Sequence, residues 1–264
     1  MLIPQSKQIS LPLINLIRLN SFPILNQLHL EEKLLRTTSG NWCIVNDGAI
    51  PPTIVMGVSG KLPELVNLDL ALRDNIPVVR RFSGGGTVIV DDGTIFVTLI
   101  CNKNAVPGLQ PYPQPIMSWT GQMYGDVFHG SGDFRLREND YAFGARKFGG
   151  NAQSITKNRW VHHTSFLWDY DAKNMEYLKL PAKAPEYRSS RGHMEFLCRM
   201  KEYVLSRSIF MERLMSSLGS HFSVEFVEEE TVAGRSDTPY HCSSKLLTRQ
   251  ELEEACLSQH ENLG

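Results

Sequence analysis

Apolar and polar positions change their period several times along the chain, and each change predicts a new element. Residues 14–19 alternate as a strand does. Ile24, Leu28 and Leu35, with Glu31, Glu32 and Lys33 between them, space out an amphipathic helix over 23–36. Residues 43–46 and 53–57 read as short strands around a turn at Pro51-Pro52, and 62–75 as a helix that stops before Pro77. A strand over 77–80 follows, and Asp91-Asp92-Gly93 between two β-branched stretches predicts a hairpin. A helix over 119–129 comes after a proline-rich loop. Residues 146–155 and 160–168 predict a strand pair turning at Lys157-Asn158. Leu197, Met200, Val204, Phe210, Leu214 and Leu218 outline a helix over 195–218 ending at Gly219, and 248–256 a last short one. Strands outnumber helices without a strict βαβ rhythm. The expected fold is therefore α+β, with mixed, largely antiparallel sheets and flanking helices.

At 264 residues the chain is long enough for one large domain with a small appendage. The expected division is a flexible segment over 1–12, a main domain over 13–220 and an extension over 221–264. A net charge of −1 argues against nonspecific nucleic-acid binding, and no uninterrupted apolar run is long enough to cross a bilayer. Five scattered cysteines without a C-x-x-C pair form neither a disulfide framework nor a zinc site, which points to a reducing compartment. The first thirty residues hold Lys7 and Arg18 but no acid, a composition compatible with a short organelle-targeting segment.

Candidate chemistry concentrates in four places. Arg80-Arg81-Phe82-Ser83-Gly84-Gly85-Gly86-Thr87 runs two cations into three glycines, just before the strand-like Val88-Ile89-Val90. Bare glycine N–H groups can floor an anion site beside arginines, although a glycine-rich turn with surface arginines has the same sequence. The run has neither the P-loop form nor the G-x-G-x-x-G fingerprint, because it precedes a strand instead of opening a helix. Lys147, followed by Phe148-Gly149-Gly150-Asn151-Ala152, sits where a strand would send it and Arg146 to opposite faces, so only one of them can line a pocket. His162 and His163, adjacent on a strand, must also diverge and cannot chelate one metal together. Glu138-Asn139-Asp140 adds an amide and two carboxylates able to grip ribose, adenine or a metal-bound phosphate.

Taken in order, these motifs resemble the catalytic domain of the lipoate–protein ligase family, which is related to biotin–protein ligases. The resemblance runs over roughly 13–218. It implies transfer of a lipoyl or octanoyl group, through an acyl-adenylate, to one lysine of a lipoyl domain. Lys147 would be the catalytic residue. Arg81, Ser83, Gly84, Gly85, Gly86, Thr87, Val88, Ile89, Asn139, Asp140, Gly150 and Ala152 would join it around the nucleotide. Gly57, Arg80, His162 and His163 would border the pocket. The implied small molecules are lipoate or octanoate with ATP and Mg2+, the ion held through phosphate near Asp140, or pre-formed lipoyl-AMP. The implied partners are lipoyl domains of 2-oxoacid dehydrogenase E2 subunits and the glycine-cleavage H protein, with a separate accessory subunit for adenylation. No nucleic acid or membrane is implied, and the expected compartment is the mitochondrial matrix or the cytoplasm.

Three positions depart from the family pattern: Asp91 where a histidine is usual, Thr164 where a glycine is usual, and Val58 where ligases often carry arginine. Two alternatives stay open. An octanoyltransferase working through a cysteine thioester would need an activated thiolate, yet residues 102–197 contain no cysteine. A non-catalytic lipoyl-domain binder would keep the pocket without turnover. Biotin ligation is disfavoured, because the G-R-G-R-x-x-R-x-W loop of that branch is missing.

Overall fold

The computed structural model describes residues 10–181, 183–233 and 240–261. The first nine residues of the expected N-terminal segment lie outside the described residues. Eight strands form the larger sheet: β1 (Leu13–Asn20), β2 (Asn41–Asp47), β6 (Thr94–Asn102), β7 (Phe134–Arg137), β8 (Asp140–Phe143), β9 (Arg146–Ile155), β10 (Arg159–Leu167) and β11 (Ser223–Phe226). Their spatial order is β11-β1-β2-β6-β10-β9-β8-β7. β1 lies parallel to both β2 and β11, and every other pairing is antiparallel. The smaller sheet holds β3 (Thr53–Met56), β4 (Val78–Arg80), β5 (Val88–Val90) and β12 (Lys245–Leu246), in the order β12-β4-β3-β5. This is the mixed, mainly antiparallel α+β architecture the periodicity predicts.

Helix α1 (Ile24–Thr37) and the smaller sheet cover one face of the larger sheet. Ile17, Ile44, Phe96 and Val161 meet Leu28 and Leu34 of α1 and Val55, Val79 and Val90 of the small sheet in one buried cluster. Helices α2 (Leu62–Leu65) and α3 (Leu68–Arg73) pack on the far side of the small sheet. α4 (Pro113–Val127) covers the other face of the large sheet, together with α6 (Arg207–Gly219). There Tyr124, Phe128, Tyr141, Phe148, Phe166 and Phe210 form a fully buried aromatic nucleus. A single-turn helix α5 (His193–Phe196), a short α7 (Glu229–Ala233) and α8 (Arg249–Glu261) complete the set.

Four expectations change. The strands around Pro51-Pro52 do not pair, because β2 belongs to the large sheet and β3 to the small one. The Asp91-Asp92-Gly93 turn forms, with Thr94 N–H donating to Asp91 O at 3.0 Å, but it carries the chain from β5 in one sheet to β6 in the other. Hairpin chemistry specifies the turn, and sheet packing decides which partners its strands take. The 62–75 helix splits in two where Asn67 N–H turns aside to Tyr177 O at 2.9 Å. The 195–218 helix is interrupted as well. Leu197 bridges Lys147 in extended conformation, and only after Ser206, whose side chain accepts from Ile209 N–H, does α6 begin.

Two ties hold α1 over the site. At its C-terminus the buried Arg159 guanidinium donates to the carbonyls of Leu34 at 2.8 Å and Leu35 at 3.1 Å, and also to those of Thr38 and Gly40. At its middle the buried Glu32 carboxylate accepts from Ser243 N–H at 3.0 Å, Ser243 Oγ at 2.6 Å and Ser244 N–H at 3.2 Å. Burial pushes the Glu32 carboxyl up, but these bonds and those from Arg36 outweigh it and hold the pKa at about 2. Ser244 Oγ in turn receives Phe82 N–H at 3.1 Å, fastening the C-terminal segment to the base of the glycine run.

Candidate active site

A cavity of about 730 Å³ opens between the two sheets, under α1 and the segment 178–197. One wall is the glycine run. Gly85 takes φ +107°, a left-handed conformation that favours glycine, and it lies close against Gly57: a Cβ on Gly57 would stand 2.3 Å from Gly85 O. Arg81 is the clamp of this turn. It is 6% exposed, and its guanidinium donates to Ser83 Oγ at 3.1 Å, Val55 O at 3.3 Å, Gly84 O at 3.0 Å and Gly86 O at 2.8 Å. Burial lowers its pKa to about 10, with Glu31 partly offsetting. The positive charge therefore borders the site while its donors are mostly spent on the loop's own carbonyls.

The opposite wall is β9. Its pairing with β8 skips one residue, matching Asp140 to Gly150, Tyr141 to Gly149 and Ala142 to Lys147. The bulge turns both Phe148 and Gly149 toward the aromatic core and brings Lys147 and Gly150, three positions apart, to the same face. A Cβ on Gly150 would lie 3.3 Å from Lys147 Nζ, so the missing side chain leaves the ammonium its room. Lys147 Nζ sits 2.7 Å from Asp140 Oδ1, and Tyr187 OH donates to Asp140 Oδ2 at 2.9 Å. The lysine wall and the glycine wall touch: Gly84 N–H donates to Gln153 O at 3.3 Å. Arg146 points away to Tyr203 OH, as strand alternation requires.

Of the residues singled out in the sequence, Arg81, Gly84, Gly85, Gly86, Thr87, Val88, Ile89, Asn139, Asp140, Lys147, Gly150, Ala152 and His163 all line this cavity. Ser83, Gly57, Arg80 and His162 are not among its lining residues. Ser83 and Gly57 support the glycine turn from behind. Arg80 donates to the carbonyls of Val58 at 3.1 Å and Gly60 at 2.7 Å. His162 is fully buried on the other face of β10, its Nδ1 3.0 Å from Gln153 Nε2, and burial lowers its pKa to about 3. The divergence of the two histidines follows the strand period. Asp140, the residue the resemblance puts near phosphate-held Mg2+, has its two oxygens engaged by Lys147 and Tyr187. Among the described residues no group of three His, Cys, Asp or Glu could hold a metal ion.

The three departures from the family pattern resolve in different ways. Asp91 does not line the cavity; it accepts from Gly93 N–H at 3.0 Å and Asn174 Nδ2 at 2.8 Å, and Val90 is the cavity-lining neighbour. Thr164 donates to Asn151 Oδ1 at 2.8 Å, and Val58 is exposed. None of the five cysteines lines the cavity. Burial raises the thiol pKa of Cys43 to about 12 and of Cys198 to about 11.

Two groups escaped the sequence reading. Glu31 is fully buried at the apolar end of the cavity formed by Ile24, Leu28 and Phe96. It accepts from Thr98 Oγ1 at 2.6 Å and Gln27 Nε2 at 2.8 Å, with His163 Nδ1 2.7 Å from its other oxygen. A signal was present, since 24, 28, 31 and 35 share one helical face. The second group is the 178–197 segment, which brings Lys179, Arg188, His193 and Phe196 to the cavity without any periodic pattern that would announce it.

Residues 23–223 match the family model of the lipoyl protein ligase A/B catalytic domain, and the chain belongs to that family. A Plasmodium falciparum protein named inactive lipoate–protein ligase 2 is 26% identical over 264 aligned positions, covering 76% of this chain and 68% of that protein. The matched stretch covers only about half or less of the length of the bacterial relatives, 52% and 45% for the two mycoplasma ligases. Among solved structures, a bipartite lipoate protein ligase from Thermoplasma acidophilum, described with its E2 lipoyl domain, superposes with a TM-score of 0.64 at 19% identity over 84% of this chain and 91% of its own. Lipoate-protein ligase A bound with ATP superposes at 0.63 and 17% identity, covering 85% and 93%. The shared fold is that of the biotin/lipoate ligase catalytic domain.

Proposed function

We propose that this chain transfers a lipoyl or octanoyl group from an acyl-adenylate to the target lysine of lipoyl domains. The observation that carries this reading is the meeting, in one cavity, of the Lys147 ammonium and the glycine turn, with apolar side chains of α1 and both sheets beyond them. In the first step a carboxylate oxygen of the fatty acid attacks the α-phosphorus of MgATP, and pyrophosphate leaves. In the second the uncharged ε-amine of the target lysine attacks the acyl carbonyl, the C–O bond to phosphate breaks, AMP departs and the amine's extra proton passes to solvent. Both steps build charge on oxygens between acyl carbon and phosphorus. A fixed ammonium held by Asp140 and Tyr187 is already oriented to meet that charge. The exposed glycines 85 and 86 suit the nucleotide phosphate, and the Ile24, Leu28 and Phe96 end suits the acyl chain. Mg2+ would arrive as part of the nucleotide.

The bipartite Thermoplasma ligase supports an accessory subunit for the adenylation step, and the E2 lipoyl domain described with it supports lipoyl domains as acceptors. A second reading, a lipoyl-domain binder without turnover, is favoured by the word inactive in the Plasmodium relative's name. Incubating the chain with an apo lipoyl domain and either lipoate plus MgATP or pre-formed lipoyl-AMP, read by intact mass, separates the two. Addition of one lipoyl mass supports transfer. Tight binding of the domain with no mass change in either arm leaves only the binder.

A further inference from the structure

Among the described residues three arginines are buried, and they differ in what satisfies them. Arg81 and Arg159 each spend their guanidinium on several backbone carbonyls. Arg188, only 6% exposed, does not. Its Nε donates to Arg191 O at 3.0 Å, its Nη2 lies a long 3.4 Å from His193 Nδ1, and its guanidinium carbon rides 4.7 Å over the Phe196 ring. Among the described residues no bond is made by Nη1 and no carboxylate lies within ion-pair distance. Asp140 acts on it only through space, without a direct ion pair, and a buried cation left with open donors is costly unless something more supplies charge. Arg188 lines the same cavity as Lys147, with His193 between them feeling the charge of both. Burial lowers the pKa of Arg188 and of His193 alike, and of the cations this segment brings to the cavity Lys179 is spent on Pro63 O at 2.8 Å, which leaves the Arg188 guanidinium with open donors.

We propose that Arg188 is a second anion-binding group of the cavity, whose free guanidinium edge takes non-bridging oxygens of a phosphoryl group. The proposal rests on the acyl-adenylate reading and refines it. Two phosphates could be the source: the α-phosphate that stays on the acyl nucleotide, or the pyrophosphate that leaves. A planar fork with open N–H groups suits either, whereas the compact Lys147 ammonium, tied to Asp140, suits the single oxygen where charge develops. Phe196 beneath the guanidinium holds it flat.

The test is binding of inorganic pyrophosphate and of AMP to the full chain by titration calorimetry, for wild type, Arg188→Gln and Arg188→Lys. The glutamine keeps a donor for Arg191 O but removes the charge; the lysine keeps the charge but removes the fork. Arg188→Gln is expected to weaken one ligand by about 10- to 100-fold, the range for losing a charge-assisted pair. It should also flatten the salt dependence of that ligand's affinity, with an unchanged melting temperature. Arg188→Lys should fall between. Loss confined to pyrophosphate assigns Arg188 to the leaving group, and loss confined to AMP or shared by both assigns it to the α-phosphate. Affinities within twofold of wild type for both ligands, or no binding of either by wild type, overturn the proposal. Acyl transfer by wild type is scored separately by intact mass. Lost phosphate binding in the variants without any wild-type transfer sinks the acyl-adenylate reading alone, and transfer with unaltered phosphate binding sinks only the role of Arg188.

Discussion

The contact between Gly57 and Gly85 makes Gly57→Ala a direct probe of how the glycine wall is held. The added Cβ would stand 2.3 Å from Gly85 O, against the 3.0 Å that Cβ atoms keep, so the carbonyl must retreat by about 0.7 Å. That retreat drags on the neighbouring carbonyls of Gly84 and Gly86, which Arg81 Nη2 holds at 3.0 and 2.8 Å. Stretched by the same amount, the first passes out of hydrogen-bonding range at about 3.7 Å and the second is left at its limit of about 3.5 Å. Bonds to a charged donor contribute about 1.5–3 kcal/mol each, which sets a ceiling near ~6 kcal/mol. With partial relaxation the expected loss is about 3 kcal/mol, or roughly a 6–12 °C drop in Tm for a chain of this size. Gly86→Ala is the control: its Cβ would meet nothing within 4 Å, and the expected change is within about 0.5 kcal/mol. Thermal denaturation followed by circular dichroism reads both. A Gly57→Ala protein that melts within about 2 °C of Gly86→Ala would show that the wall is not braced as described.

Lys147→Ala is expected to abolish acyl transfer from lipoyl-AMP in the intact-mass assay while leaving the circular dichroism spectrum unchanged; normal transfer by that variant would refute the reading of the site. Single Cys→Ala replacements should each leave transfer within about threefold of wild type, because no thiol lines the cavity; complete loss in one of them, with the fold intact, would revive the thioester route. Burial holds the native pKa of His162 at about 3, far below the usual value near 6.5. Between those values the unfolded chain binds a proton that the native state does not, so stability is full above pH 6.5 and falls on acidification. At about 1.4 kcal/mol per pH unit the loss from pH 6.5 to 5 is roughly 2 kcal/mol, and His162→Gln should flatten that part of a urea-denaturation pH series. Equal slopes for the two proteins would rule the imidazole out as the cause.

Local chemistry was the legible part. The strand period separated Lys147 from Arg146 and His163 from His162, and the glycine run marked a wall of the cavity before any coordinates. What stayed hidden depends on contacts between distant segments. Nothing around Asp91-Asp92-Gly93 says that β5 and β6 belong to different sheets, because that choice is made by the packing of Val90 and Phe96 in one cluster. Arg81 was readable as a cation beside glycines but not as a clamp whose donors the loop consumes. Glu31 and Glu32 looked like the polar side of a helix, since charge outweighs position in a periodicity count; both are fully buried by partners as far away as Thr98 and Ser243. Arg188 had no pattern to betray it.

The seam at Ser244 also bears on how the chain is made. A ribosome delivers residues in order, and β4 meets its neighbour β12 only after Lys245 and Leu246 have emerged. Until then the nascent chain carries an unzipped edge at Val78–Arg80 beside a buried acid, Glu32, that lacks its serine donors. The wall that would cradle a nucleotide therefore takes its full set of partners only once Ser244, Lys245 and Leu246 have left the ribosome.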